Sequence, residues 1–436
     1  MEPSRILIRG GHLIDPSQKI DEPMDLWIEE GKVVGLGKNL KSEKAHVIDA
    51  KGKVVTPGFI DLHVHLRTPG QEHKETLATG SRAALKGGFT TIAAMANTDP
   101  VVDSGPVVEY LRGQSSKVGL VNILPYGAVT MGLKGETLTE MGELKQAGVV
   151  GFSDDGAPIL NAGVMRRALE YTRMTQLPLI SHCEEKSLSA GGVIHEGLTA
   201  TRLGLAGIPT EAETVMLARD LLLAEATGGR LHIAHVSTAV GVELIRAAKA
   251  RGVLVTAEVT PHHLTLTEEA LSHYDSRFKM NPPLRTQEDL QALREGLKDR
   301  TLDVVATDHA PHAKAEKEMD LIQAPFGVVG LETAVGVLLT ELVSRQVLKL
   351  TTLVEALTLK PALVLGIDRG RLSKGSVADV TILDLQAQWS VEAQSFASKG
   401  INSPFLGWRL KGQVTDVLVA GRHLLRNRQF VNGASA

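Results

Sequence analysis

The chain has 436 residues, is 43% hydrophobic and 22% charged, and carries a net charge of -3. That is ordinary globular composition, long enough for one large domain plus a smaller one. It lacks the basic field that nucleic-acid binding requires, and no apolar run approaches the roughly 18 residues needed to span a bilayer. Aromatics make up only 3% against 43 glycines, so the core must be built from Ala, Val, Leu and Ile, with many tight turns. Cys183 is the only cysteine, which rules out an intramolecular disulfide. With an N-terminus that lacks a signal-peptide layout, this points to the cytoplasm.

From residue 4 to 56 the chain reads as short β-strands, at 5–9, 24–29 and 32–36, separated by Gly or Asp-Pro turns. Beyond that the texture changes. Apolar, β-branched runs at 88–94, 121–126, 148–153, 177–182, 231–235, 254–259 and 302–307 alternate with helical stretches such as 163–175, 212–227 and 239–251. Such alternation predicts a parallel α/β domain. The span of about 57–367 suits a (β/α)8 barrel with inserted loops, a doubly wound open sheet being the alternative. Strand texture returns at 377–384 and 416–422. Either terminal half alone would have too little core, so one small β domain built from both ends is the economical reading.

The polar residues of interest end the barrel strands, which is where a (β/α)8 barrel places its active site. His63 and His65 follow a strand candidate, and residues two apart on a strand point to the same side. A lone strand histidine is usually a satisfied core residue; a His-x-His pair can grip one metal. His182, His235 and Asp308 end three further strands, and Asp154 and Asp155 end a fourth. Each alone has a bland reading, such as an Asp capping the next helix. Together, four imidazoles and two carboxylates suit two divalent metals, zinc foremost. Two metals a few Å apart would generate a hydroxide from water and polarise a carbonyl. Asp308 is the candidate to take the water's proton and return it to a leaving nitrogen.

These residues bring a family into view. The chain resembles the amidohydrolase superfamily and, within it, the bacterial type I dihydroorotases. The carriers are Pro57-Gly-Phe-Ile-Asp-Leu-His-Val-His-Leu-Arg67, Ser153-Asp-Asp-Gly156, Ser181-His-Cys-Glu184, Glu258-Val-Thr-Pro-His-His263, Lys279-Met-Asn-Pro-Pro-Leu-Arg285 and Thr307-Asp-His-Ala-Pro-His312. The resemblance runs end to end. It implies a metal-dependent hydrolase barrel at 57–367 and a composite β-sandwich domain from 1–56 and 368–436. It implies two zinc ions per subunit held by His63, His65, Asp155, His182, His235 and Asp308. Asp155 would replace the carboxylated lysine of related hydantoinases. The implied reaction is the reversible, zinc-dependent cyclisation of N-carbamoyl-aspartate to dihydroorotate in pyrimidine biosynthesis.

The resemblance also implies substrate contacts from His65, Arg67, Asn97, Asn281, His312 and the backbone of Phe326 and Gly327. Arg67 offers a rigid fork suited to a carboxylate. The family usually has Pro where Ala96 stands, a departure that loosens the loop around Asn97. Two other functions compete: a hydantoinase or allantoinase at the same metal site, and a non-catalytic scaffold for aspartate carbamoyltransferase, which the complete ligand set argues against. A homodimer is common in the family, and a complex with that carbamoyltransferase is compatible with activity. Of the remaining histidines, adjacent His262 and His263 are expected to face opposite ways on a strand, and His232 to face away from His235. Cys183 is expected to be a buried, inert thiol.

Overall fold

The computed structural model describes residues 5–41 and 44–431; residues 1–4 and 432–436, the outer edges of the expected composite domain, lie outside them. Eight short parallel strands form the centre: Phe59–Val64, Phe89–Ala94, Asn122–Pro125, Phe152–Ser153, Leu179–Ser181, Leu231–Ile233, Val255–Val259 and Val304–Val305. They pair in chain order. Two single bridges complete the ring, Gly127 to Phe152 between the third and fourth strands and Val64 to His309 between the eighth and first. The ring is closed, which decides for a barrel and against an open sheet.

The strands are buried on both faces, which is why they read as continuous apolar runs rather than as alternations. Ile60, Leu62, Ala93, Ile180, Ala234 and Val304 share an inner cluster with Ala362 and Leu365 of the helix Leu359–Leu365. Phe59, Phe89, Ile92, Phe152 and Leu231 face outward into a second cluster with the surrounding helices, through Leu85, Leu169, Leu217 and Ile245. Those helices have local start and stop signals. Thr76 and Thr286 form capping boxes with Thr79 and Asp289, and Gly88 and Gly228 end their helices in the left-handed conformation.

Several strands are shorter than their apolar runs. The run at 148–153 yields only Phe152–Ser153, and that at 302–307 only Val304–Val305. The polar residues that follow therefore lie beyond the regular part of each strand. Arg67, His235 and Asp308 have φ of +58°, +32° and +48°, left-handed values that cost a non-glycine residue about 1–3 kcal/mol and cluster at functional sites.

Strands from both termini make one nine-stranded sheet, ordered Gln429–Phe430, Arg422–Arg426, Arg409–Val419, Val380–Ser390, Val54–Pro57, Arg5–Asp15, Ile20–Glu29, Lys32–Gly37, with His46–Asp49 also on Arg5–Asp15. The two halves join where Val55 pairs antiparallel with Ile382. Ile6, Leu13, Leu26, Val380 and Leu418 form the domain's own core. Leu383, Val414, Val417 and Leu425, by contrast, belong to the outer cluster of the barrel. No helix among the described residues is long and apolar enough to cross a membrane.

Candidate active site

Six strand-end residues converge at one mouth of the barrel. His63 Nε2 lies 3.4 Å from Asp155 Oδ1 and 3.4 Å from Asp308 Oδ1. His65 Nε2 lies 3.4 Å from Asp155 Oδ2 and 3.2 Å from Asp308 Oδ1. His182 Nδ1 and His235 Nε2 are 2.8 Å apart, each 3.5 Å from Asp155 Oδ1. Asp155 thus touches four imidazoles, and every member of the cluster is buried.

The cluster fits a metal centre. His63 Nε2 and Asp155 Oδ1 are buried and make no aligned hydrogen bond, although they attract one another; buried groups left in that state cost free energy unless a further charge satisfies them. His63, Asp155 and His235 offer ligand atoms within 4.8 Å of one another, and so do His63, His65 and Asp308. Partners on the far side of the rings point the lone pairs inward. His63 Nδ1 donates to Glu258, His65 Nδ1 to Asn97 and His182 Nε2 to Glu184, at 2.6, 3.0 and 2.9 Å. Burial alone would raise the carboxyls of Asp155 and Asp308, but the imidazoles, His63 foremost, hold both well below their ordinary range.

Asp154 and Asp155 part company at the strand end. Asp154 turns away and accepts the backbone N–H of Val129 and Thr130 and the Thr130 hydroxyl. Burial pushes its carboxyl up to about 6. It holds a neighbouring turn, while Asp155 faces the imidazoles.

Beside the cluster is a cavity of about 470 Å³ lined by Arg67, Asn97, Asn281, His312, Phe326 and Gly327. Every residue expected to touch substrate therefore borders one space. Arg67 is half-buried, its Nε donating to Pro311 O at 3.2 Å. Asn97 is held twice, by His65 and by its Nδ2 donating to Asp155 O at 3.3 Å, so Ala96 leaves it well placed. His312 Nε2 donates to Phe326 O at 2.8 Å. Burial, and then the Arg67 guanidinium, push the His312 pKa down to about 3, which leaves a neutral ring. Gly327 has φ of +127°, and a Cβ there would come 2.9 Å from Ala310 Cβ and 3.1 Å from His312 Nε2, so glycine is required. A larger groove of about 1320 Å³ between the terminal sheet and the barrel, lined by Gly10, Lys53, Lys298 and Lys349, contains none of these residues.

Some participants were given no role by the sequence, although Glu184 and Lys279 stand in the motifs quoted above. Glu184 accepts from His182, Lys186, Ser189 and Asn281, linking the cluster to the cavity. Lys279 donates to the carbonyls of Leu321, Ile322 and Ala324, and Lys317 to those of Pro325 and Gly327, so the loop over the cavity is tied from below. Asn402, between two strands of the terminal sheet, accepts His312 N–H at 3.2 Å and donates to Ala310 O and Gly327 O at 3.1 and 3.0 Å.

Two expectations need correction. His262 and His263 lie beyond Val255–Val259, in a turn, so strand alternation does not separate them; both are buried with ring centroids 4.6 Å apart. His232 reaches the cluster after all, because Glu258 bridges it to His63. Cys183 is buried near Ser181 and Asp220, and burial raises its pKa well above the ordinary thiol value. That environment makes it unreactive.

The chain is similar to proteins of known class along its whole length. Residues 52–240 match the family model described as dihydro-orotase-like. A dihydroorotase of Pelotomaculum thermopropionicum is 55% identical over 97% of this chain and 99% of the relative. One of Caldanaerobacter subterraneus is 51% identical over 98% and 99%. Among solved structures, the L-hydantoinase (dihydropyrimidinase) of Arthrobacter aurescens superposes with a TM-score of 0.89 at 28% identity, covering 99% of this chain and 98% of that one. The dihydropyrimidinase of Brevibacillus agri gives 0.85 at 25%, covering 99% and 97%.

Proposed function

Since the chain belongs to the dihydroorotase family of cyclic amide hydrolases, we propose that its strand-end cluster is a two-zinc centre interconverting dihydroorotate and N-carbamoyl-aspartate. The family membership makes it an enzyme of pyrimidine biosynthesis. The observation that carries the metal reading is Asp155 Oδ1, buried without a hydrogen bond among three imidazole nitrogens at 3.4 to 3.5 Å. The nitrogen-rich donor set suits zinc.

Bound there, the metals would supply an activated water and polarise the ring carbonyl. The chain's own residues do the rest. Asp308, within 3.4 Å of both His63 and His65, takes the proton of the attacking water and hands it to the amide nitrogen as the ring opens. In the cyclisation direction the same carboxylate removes a proton from that nitrogen. Arg67 holds the ring carboxylate in a bidentate grip. Asn97 and Asn281 fix the ring plane, and the loop of His312, Phe326 and Gly327 closes one wall against water. A cytoplasmic location, a homodimer and a complex with aspartate carbamoyltransferase belong to the same proposal; elution volume with and without that partner tests the assembly.

The central test is a metal count combined with turnover. Purified protein should convert carbamoyl-aspartate to dihydroorotate, lose the activity on chelation and regain it with zinc. A metal-replete preparation without that turnover would refute the assignment. Turnover of hydantoin equal to that of dihydroorotate would favour the hydantoinase alternative.

A further inference from the structure

On the side of the cluster away from the cavity, four side chains form one hydrogen-bonded line. Thr256 Oγ1 is 2.8 Å from His232 Nδ1, His232 Nε2 is 3.1 Å from Glu258 Oε2, and Glu258 Oε1 is 2.6 Å from His63 Nδ1. His63, His232 and Glu258 are each 0% exposed. The line joins the seventh, sixth and first barrel strands. Glu258 Oε1 also lies 3.4 Å from the backbone N–H of His235, the residue with φ of +32°. One carboxylate therefore meets the ring of one cluster member and the main chain of another.

We infer that Glu258, oriented by His232 and Thr256, is a positioning residue that fixes the tautomer of His63 and the backbone pose of His235, and so sets the affinity of the centre for metal. The inference rests on the metal reading proposed above. The chemistry follows from donors and acceptors. An ionised carboxylate only accepts, so His63 Nδ1 and His232 Nε2 must both carry protons. His63 Nε2 is then a bare lone pair, turned toward Asp155 and Asp308. With its proton on Nε2, His232 offers Nδ1 as an acceptor, and the Thr256 hydroxyl donates to it. Each proton is thus placed by the next group along the line. Without the carboxylate, His63 is free to carry its proton on Nε2, which removes it as a ligand. Outer partners of this kind orient ligating histidines and commonly change metal affinity 10- to 100-fold.

The experiment uses metal-free full-length chain titrated with zinc against a chromogenic chelator, alongside thermal melting of the same metal-free samples. Glu258→Gln is expected to weaken zinc binding by about 10- to 100-fold. Thr256→Val leaves Glu258 in place but lets His232 turn over; it should weaken binding by a smaller factor while the metal-free protein melts as the parent does. Wild-type zinc affinity in both variants overturns the inference, whatever their melting temperatures. Should Glu258→Gln not fold, Thr256→Val decides alone, and unchanged affinity there overturns it. A parent chain that takes up no zinc refutes the metal centre itself, and this inference falls with it.

Discussion

Replacing Arg67 by Met keeps a flexible, unbranched apolar stem and removes the charge and all five donors of the guanidinium. Arg67 is half-buried beside the cluster, and among the described residues only its Nε is committed to a protein acceptor, Pro311 O at 3.2 Å. The two terminal nitrogens are free to grip a carboxylate in the cavity that Arg67 lines. Truncating one partner of a desolvated charge pair costs about 2–5 kcal/mol. At about 1.4 kcal/mol per factor of ten, kcat/KM for dihydroorotate should fall roughly 30- to 5,000-fold. The control is dihydrouracil, the same ring without the carboxylate, and the relatives of solved structure include dihydropyrimidinases. Ring opening of both compounds is followed with parent and variant loaded to equal metal content. Dihydrouracil turnover should change by less than about tenfold, because the lost interaction is absent there from the start. A parallel fall for both rings would refute the carboxylate grip and make Arg67 a structural cation. Undiminished dihydroorotate turnover would refute it more directly.

Asp155→Asn should lose bound metal and turnover together, whereas Asp154→Asn should keep its metal and lower the melting temperature, since it only holds the turn at Val129 and Thr130; equal metal counts in the two variants would contradict the assignment. Gly327→Ala must place a Cβ 2.9 Å from Ala310 Cβ at φ of +127°, displacing the loop of His312; kcat/KM should drop about a hundredfold if the shift approaches 1 Å, with metal content unchanged. Glu332 tests the electrostatics of the fold. Burial raises its pKa from 4.5 to about 7, so between those values the folded chain holds a proton that the unfolded chain has released. That contribution to stability is present below pH 4.5 and is lost as pH rises to 7. Glu332→Gln should therefore gain melting temperature relative to the parent between pH 5 and pH 8, and a constant difference between the two would count against it.

Much of the site was legible because it obeys strand geometry. His63 and His65 share a side by simple alternation, and six donors at strand ends would not coincide by chance. The barrel was legible for a similar reason: strands buried on both faces leave unbroken apolar runs between helices. The rest depended on contacts between distant positions. Glu258 stands in a recognisable motif, yet its partners are 195 and 26 residues away, and a lone inward-facing carboxylate carries no hint of them. His235 enters the cluster because its backbone leaves the β region at φ of +32°, a turn that strand parity does not foresee. His262 and His263 were misread for the converse reason, since alternation was applied past the end of the strand. Strand geometry alone left Asp154 and Asp155 unseparated; the family resemblance pointed to Asp155, and Val129 and Thr130 claim Asp154 through contacts no local pattern announces.

The hold of Asn402 on His312, Ala310 and Gly327 has a consequence for biosynthesis. A ribosome has delivered all eight barrel strands, and every proposed zinc ligand, well before it reaches Asn402. The nascent barrel at that stage has its donors but not the fastening of the wall that shapes the cavity. The strands that carry Asn402 into place, Val380–Ser390 and Arg409–Val419, pair with one another and onward to Val54–Pro57. A chain released before residue 402 would hold every proposed ligand residue yet lack both this fastening and Val414, Val417 and Leu425, which pack in the barrel's outer cluster.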